Sequence, residues 1–197
     1  MIPTHLLGLV GTPGAGKSHA ADYIIEQYGG EHIKFSEYLS HVLHRMSLAK
    51  SRENMIKLSV ILRKEFGEDI FSHAVAADAL QSDRDVVLID GIRRVEDLAA
   101  FKALPNFKLI AINADPNVRY ERIRGRKEKT DDSEITWEQF LKTEQAPTEV
   151  TIPETMTYAN FTIMNNGSVE DYEKQIDDIM KELDIKKRKS FVKLQHG

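Results

Sequence analysis

The chain has 197 residues, 41% hydrophobic and 29% charged, which suits one globular domain and excludes disordered and collagenous classes. It contains no cysteine, so disulfide scaffolds, thiol catalysis and zinc ribbons are out and a reducing setting is expected. Lys+Arg 27 against Asp+Glu 31 leave a formal charge of −4, which suits neither a nucleic-acid coat nor a membrane-surface binder.

At the N-terminus, Met1-Ile2-Pro3-Thr4-His5 has no basic stretch leading into a long apolar one, so no secretory signal is expected. No later run approaches the ~20 apolar residues of a membrane span, and a soluble cytoplasmic protein is the expectation. Leu6-Leu7-Gly8-Leu9-Val10 reads as a buried strand that runs into a glycine-rich turn. From Lys17 to Gln27, apolar Ala20, Ala21, Ile24 and Ile25 recur at helical spacing, and Gly29-Gly30 ends that helix. His32 to Phe35 is a short strand. A helical region follows from Ser36 to about Leu80, with breaks near Lys50-Ser51 and Gly67.

Val86-Val87-Leu88-Ile89 is apolar at every position, as a central parallel strand covered on both faces requires. Val95 to Leu104 reads as a helix, Phe107 to Ile112 as a strand and Asn117 to Arg124 as a short helix. Residues 125–134 are mostly charged and read as an exposed loop or lid. Thr136 and Gln139 have capping-box spacing ahead of Trp137, Phe140 and Leu141. Trp137 reads as a packing anchor. Phe161 to Met164 forms the last strand, and Ser168 caps a final helix with Val169, Tyr172, Ile176, Ile179 and Leu183 on one face. Strands alternating with helices predict an α/β protein with one parallel sheet and helices on both faces.

Gly11-Thr12-Pro13-Gly14-Ala15-Gly16-Lys17-Ser18 matches the phosphate-binding pattern G-x-x-x-x-G-K-[ST]. Glycines let such a loop wrap a phosphate with its N–H groups pointing inward, and the following helix adds positive partial charge. Lys17 then supplies a point charge to the β- and γ-phosphates, and the Ser18 hydroxyl is a magnesium ligand. The strand before the motif and the helix after it fit this reading. The dinucleotide pattern G-x-G-x-x-G fails, because counting from Gly14 its last position is His19. Asp90 closes an apolar strand at the sheet edge where ligands bind, so it is a second candidate for magnesium. Arg93 and Arg94 follow directly. Arg119, Arg122 and Arg126 share a helix face by spacing, and converging arginines suit phosphoryl transfer. His41 and His44 have no carboxylates at ligand spacing, so metal binding there is not expected. GTPases are excluded, since no Asn-Lys-x-Asp segment occurs.

On these residues the chain resembles a known family. Leu88-Ile89-Asp90-Gly91-Ile92-Arg93-Arg94 is similar to the Asp-Gly-Phe-Pro-Arg segment of adenylate kinases, with Arg94 at their substrate-binding arginine. Glu121-Arg122-Ile123-Arg124-Gly125-Arg126 resembles their lid hinge, with Arg122 and Arg126 at nucleotide- and phosphate-binding arginines. The likeness to nucleoside monophosphate kinases spans roughly residues 5–170. It implies a three-layer P-loop fold with a five-stranded parallel sheet, Mg-ATP as donor and a lid that closes over the phosphates. The chain departs from that family after the second strand, where Phe35-Ser36-Glu37-Tyr38-Leu39-Ser40 replaces Ser-Thr-Gly-Asp-x-Leu-Arg and its phosphate-binding arginine.

Gln145-Ala146-Pro147 and Asn165-Asn166-Gly167-Ser168 resemble the C-terminal half of dephospho-coenzyme A kinases. That family carries Asp-Ala-Asp where this chain has Phe35-Ser36-Glu37, so the first acid is absent, with Glu37 left as an alternative base. A hydroxyl acceptor needs a base, whereas a monophosphate is already anionic.

The expected domain organisation is one P-loop kinase domain over 1–185, with a helical acceptor-binding region at 36–80 and a lid at 125–134, then a basic tail at 186–197. The expected activity is ATP-dependent phosphorylation of a nucleoside or deoxynucleoside monophosphate-like acceptor. The alternatives are phosphorylation of a ribose hydroxyl in the manner of dephospho-coenzyme A kinase, or an ATPase switch that uses water. Lys17, Asp90, Arg122 and Arg126 are the catalytic candidates, and Gly11 to His19 with Arg122 the ATP contacts. Ser18 and Asp90 are candidates for Mg2+, and Glu37, Arg63, Arg93 and Arg94 for the acceptor. The partner is a small molecule rather than a membrane or nucleic acid, and the protein a monomer or small homo-oligomer.

Overall fold

A computed structural model describes residues 3–125 and 135–188. Its five strands are β1 (His5–Val10), β2 (Glu31–Lys34), β3 (Val86–Asp90), β4 (Phe107–Asn113) and β5 (Phe161–Met164). They form one sheet in the order β2-β3-β1-β4-β5, and every neighbouring pair is parallel. Because successive side chains of a strand point to opposite faces, the apolar runs supply two cores at once. Leu7, Leu9, Leu88, Ile110 and Ile112 face α1 (Lys17–Tyr28) and α8 (Val169–Glu182). Leu6, Val10, Val87, Ile89 and Leu109 face the other way, toward α4 (Ile70–Gln81) and α7 (Ile152–Met156).

Between β2 and α4 lie α2 (Phe35–Arg45) and α3 (Arg52–Phe66), so the region expected to be helical breaks at 46–51 and 67–69. Ser51 caps α3, its hydroxyl accepting from the Asn54 N–H at 3.2 Å. After β4 come α5 (Pro116–Gly125) and α6 (Trp137–Glu144). The capping box at Thr136 and Gln139 is formed in both directions, and Ser168 caps α8. Trp137 packs against the rings of Tyr120 and Phe140, with centroids 5.2 and 5.3 Å away.

The helix expected over Val95 to Leu104 is shorter than its pattern suggests. Only Val95–Leu98 forms a 3-10 turn, and the chain then proceeds by turns such as Phe101 N–H to Leu98 O at 3.0 Å. Leu98 and Phe101 both enter the core, and a three-residue spacing is what the tighter turn aligns. The five-residue α7 was not anticipated; its segment is too short to show a helical period.

No helix among the described residues is long and apolar enough to cross a membrane. Where the basic tail was expected to begin, the Arg188 N–H donates to Gln27 O at 2.7 Å, and Lys187 Nζ lies 2.7 Å from an Asp177 oxygen. Arg126, the proposed lid beyond Gly125 and the tail from 189 onward lie outside the described residues.

Candidate active site

In this strand order the chain reverses direction at β1, which is flanked by β3 and β4. The carboxyl ends of strands beside such a reversal form the usual ligand crevice of an open α/β sheet. The loop Gly11–Ser18 leaves β1 there and enters α1. A side chain at Gly11 would strike the Ile112 carbonyl, so the loop lies against β4 only because that position is bare. Gly16 has φ +111°, a left-handed conformation open to glycine, and an added carbon would also collide with Asn165. Gly14 and Ala15 are buried within the loop, while Ser18 is exposed at the start of the helix.

Lys17 curls back over this loop, with Nζ donating to Gly11 O at 2.5 Å and Thr12 O at 3.2 Å. Asp90, at the end of β3, is the next charge. Burial pushes its carboxyl up, but His32, the Lys17 ammonium and the Gly91 N–H together outweigh burial and hold it below its ordinary value. It is therefore a carboxylate at neutral pH. His32 Nε2 lies 3.7 Å from Asp90 Oδ2, an electrostatic rather than a hydrogen-bonding distance.

On the opposite flank, Arg122 of α5 donates from Nη2 to Asn165 Oδ1 at 3.0 Å. Asn165 in turn donates to Ala15 O at 2.8 Å, so it fastens the arginine to the phosphate loop. Tyr172 adds a hydrogen bond to Gly16 O at 3.0 Å; burial raises its hydroxyl well above the ordinary tyrosine value, only partly opposed by Arg122, and it remains a donor. Arg122 Nη1 and Thr12 Oγ1 are buried and have no partner among the described residues. Arg119 has a different occupation. It is buried, donates to Ala114 O and Glu144, and lies over the Phe140 ring, so it ties α5 to α6.

From the phosphate loop a cavity of about 440 Å³ extends along the start of α2 to the Gly91–Arg94 turn. Its wall includes Pro13, Lys17, Asp90, Arg63, Arg93 and Arg94. All three arginines are already paired. Arg63 is buried against Asp97 at 2.6 Å, Arg93 meets Glu149, and Arg94 reaches Glu68 at 3.1 Å. Asp97 also accepts from the Arg93 and Arg94 N–H groups at 3.0 and 3.1 Å, which fixes the turn.

Two assigned contacts lie elsewhere. Glu37 does not line this cavity but a second, open cleft with Tyr38, His41 and Asp78. The reason is helical: Phe35, Ser36 and Leu39 point one way from α2, and Glu37, Tyr38 and His41 another. The His19 ring turns away to Glu173 at 3.0 Å and stacks on Tyr23.

Lys34, Asp97 and Glu149 of the site had no expectation attached, and Asn165 entered only through the resemblance to dephospho-coenzyme A kinases. Lys34 and Asn165 each stand at or just beyond the carboxyl end of a strand, the edge where ligands bind, and that position was the available signal. Among the described residues, no group of three or more His, Cys, Asp or Glu could hold a metal ion.

The pattern of the AAA domain family matches residues 10–140, from the end of β1 through the phosphate loop, Asp90 and α5 into α6. The chain belongs to the AAA domain family. Within curated proteins it is similar to a UPF0200 protein of Methanocaldococcus jannaschii, 29% identical over 184 residues that cover 90% of each chain. A UPF0200 protein of Hyperthermus butylicus is 26% identical over 175 residues, 89% of this chain and 92% of that one. Among solved structures, TT1252 from Thermus thermophilus has a TM-score of 0.55 at 17% identity, covering 93% of this chain and 99% of that chain. The shikimate kinase from Bacteroides thetaiotaomicron has a TM-score of 0.54 at 16% identity, covering 91% and 98%. This AAA domain protein therefore has the P-loop kinase-like fold: a five-stranded, all-parallel sheet with helices on both faces.

Proposed function

We propose that this AAA domain protein transfers the γ-phosphoryl group of Mg-ATP to a small anionic acceptor of the nucleoside monophosphate type. The observation that carries the reading is one cavity whose wall includes the phosphate loop, Asp90 and the arginine turn. A triphosphate would lie against the phosphate loop. Glycines at 11, 14 and 16 let the loop pack closely against Ile112, Arg119 and Asn165, and the buried Arg122 Nη1 and Thr12 Oγ1 lack partners among the described residues that phosphate oxygens would supply. Ser18 and the ionised Asp90 would hold magnesium, whose chemistry is to neutralise charge on the β- and γ-oxygens.

In the transfer itself, an anionic oxygen of the acceptor phosphate forms a bond to the γ-phosphorus. The bond from that phosphorus to the β–γ bridging oxygen breaks, and the electron pair leaves with ADP. No proton has to be removed, since a phosphomonoester is largely dianionic at pH 7. Lys17 and Arg122 act by opposing the charge that spreads over the transferred group, which is most of what such a reaction needs from a protein. Glu37, the alternative base for a hydroxyl acceptor, lines a different cleft, which supports the phosphate acceptor over the ribose hydroxyl.

The test is phosphoryl transfer from γ-labelled ATP across a panel of nucleoside monophosphates, deoxynucleoside monophosphates and dephospho-coenzyme A. A labelled nucleoside diphosphate is the expected product, with at least tenfold less of it for Arg94→Ala. Release of labelled phosphate with no labelled acceptor would establish an ATPase switch instead.

A further inference from the structure

The cations of the cavity wall differ in one respect. Arg63, Arg93 and Arg94 each have a carboxylate partner, and Lys17 is held by the carbonyls of its own loop. The half-buried Lys34 lines the same cavity, and its ammonium makes no ion pair or hydrogen bond with a described residue. Its place is fixed by the sheet: it ends β2, and its Cα pairs with that of Asp90 on β3. It is also the N-cap residue of α2 and supplies no side-chain acceptor there, so the first-turn amides beside it lack a side-chain partner. A positive group with no ion-pair partner among the described residues, on the strand next to Asp90, is suited to receive an anion from the ligand.

The other pole is Glu149. It is only 6% exposed, and one carboxylate oxygen is taken by Arg93 and by the Thr148 hydroxyl at 3.1 Å. Its second oxygen, Oε2, is buried without a hydrogen-bond partner among the described residues. Buried carboxylate oxygens in that state need a donor, and Glu149 lines the cavity that a ligand would enter.

We propose that Lys34 and Glu149 are the two poles that select the acceptor, with Lys34 holding its phosphate and Glu149 accepting a hydrogen bond from its head group. This rests on the kinase reading and deepens it: the acceptor is a phosphomonoester with a donor-bearing head, not a neutral sugar or polyol. Lys34 joins the arginine turn as a cation on the same cavity wall whose charge no described carboxylate already opposes.

Calorimetric titration of the full chain with each nucleoside 5′-monophosphate and its parent nucleoside tests this, with and without a non-hydrolysable ATP analogue and magnesium. The wild type is expected to bind at least one monophosphate 30-fold or more tighter than its nucleoside. Lys34→Met should lose tenfold or more of that preference, with Lys34→Arg restoring most of it and analogue affinity unchanged within twofold. Glu149→Gln should keep the phosphate preference but change the ranking of the bases, a readout that a purely structural role would not move. The proposal is overturned if no monophosphate binds, if Lys34→Met keeps the preference, or if Glu149→Gln leaves the ranking intact. Failure of the wild type to bind the analogue would contradict the kinase reading instead, while the Lys34 comparison is still read from the monophosphates alone.

Discussion

Asp97 shows how much of the candidate site hangs on one buried side chain. It is 1% exposed and receives the Arg63 guanidinium on one oxygen and the Arg93 and Arg94 amides on the other. Removing one partner of a buried pair leaves an uncompensated charge, which costs about 3–5 kcal/mol. Asp97→Ala should therefore lower the melting temperature by roughly 6–20 °C in thermal unfolding, at about 2–4 °C per kcal/mol for a domain of this size. Asp97→Asn keeps an acceptor for the amides and should lose less; equal melting temperatures for all three proteins would contradict this role. Residues of this kind are hard to read from sequence. The Gly11–Ser18 motif is legible because backbone sterics and phosphate charge dictate each position locally. By contrast, Asn165 is 150 residues away from the Ala15 carbonyl it binds, and Glu149 lies 56 from Arg93. Glu37 could be misassigned because a one-residue shift on a helix turns a side chain by about 100°.

Among the elements, those with a strong period or an explicit cap were visible in the sequence. Thr136 accepts from the Gln139 N–H at 3.2 Å, and the Gln139 side chain accepts from the Thr136 N–H at 2.8 Å. Each bond satisfies an amide that the helix itself cannot pair. Thr136→Ala should cost about 1 kcal/mol, seen as a fall of roughly 2–4 °C in melting temperature, with Thr136→Ser close to wild type. An unchanged melting temperature for the alanine variant would show the box to be idle. The 3-10 turn at Val95–Leu98 was read as the start of a longer helix because apolar residues three apart fit either geometry. Asp97, accepting from the Arg93 and Arg94 amides four and three residues back, caps this turn as it would cap an α-helix, so the local pattern leaves the two geometries alike.

For the whole molecule, the alternation of apolar runs and helices was enough to foresee a parallel sheet with helices on both faces, because strands covered on two sides must be apolar throughout. The order of the strands was not readable from residues alone, yet it is what creates the site: β1 between β3 and β4 brings Lys17, Asp90 and Arg122 to one edge. The proposed phosphoryl transfer requires this edge to bind Mg-ATP through Lys17. Calorimetric titration of Mg-ATP into the wild type and Lys17→Ala, with melting curves to show that both are folded, tests it most directly. Saturable one-to-one binding is expected for the wild type, with affinity at least tenfold weaker in the variant; equal affinities in two folded proteins would mean that Lys17 does not hold the phosphates.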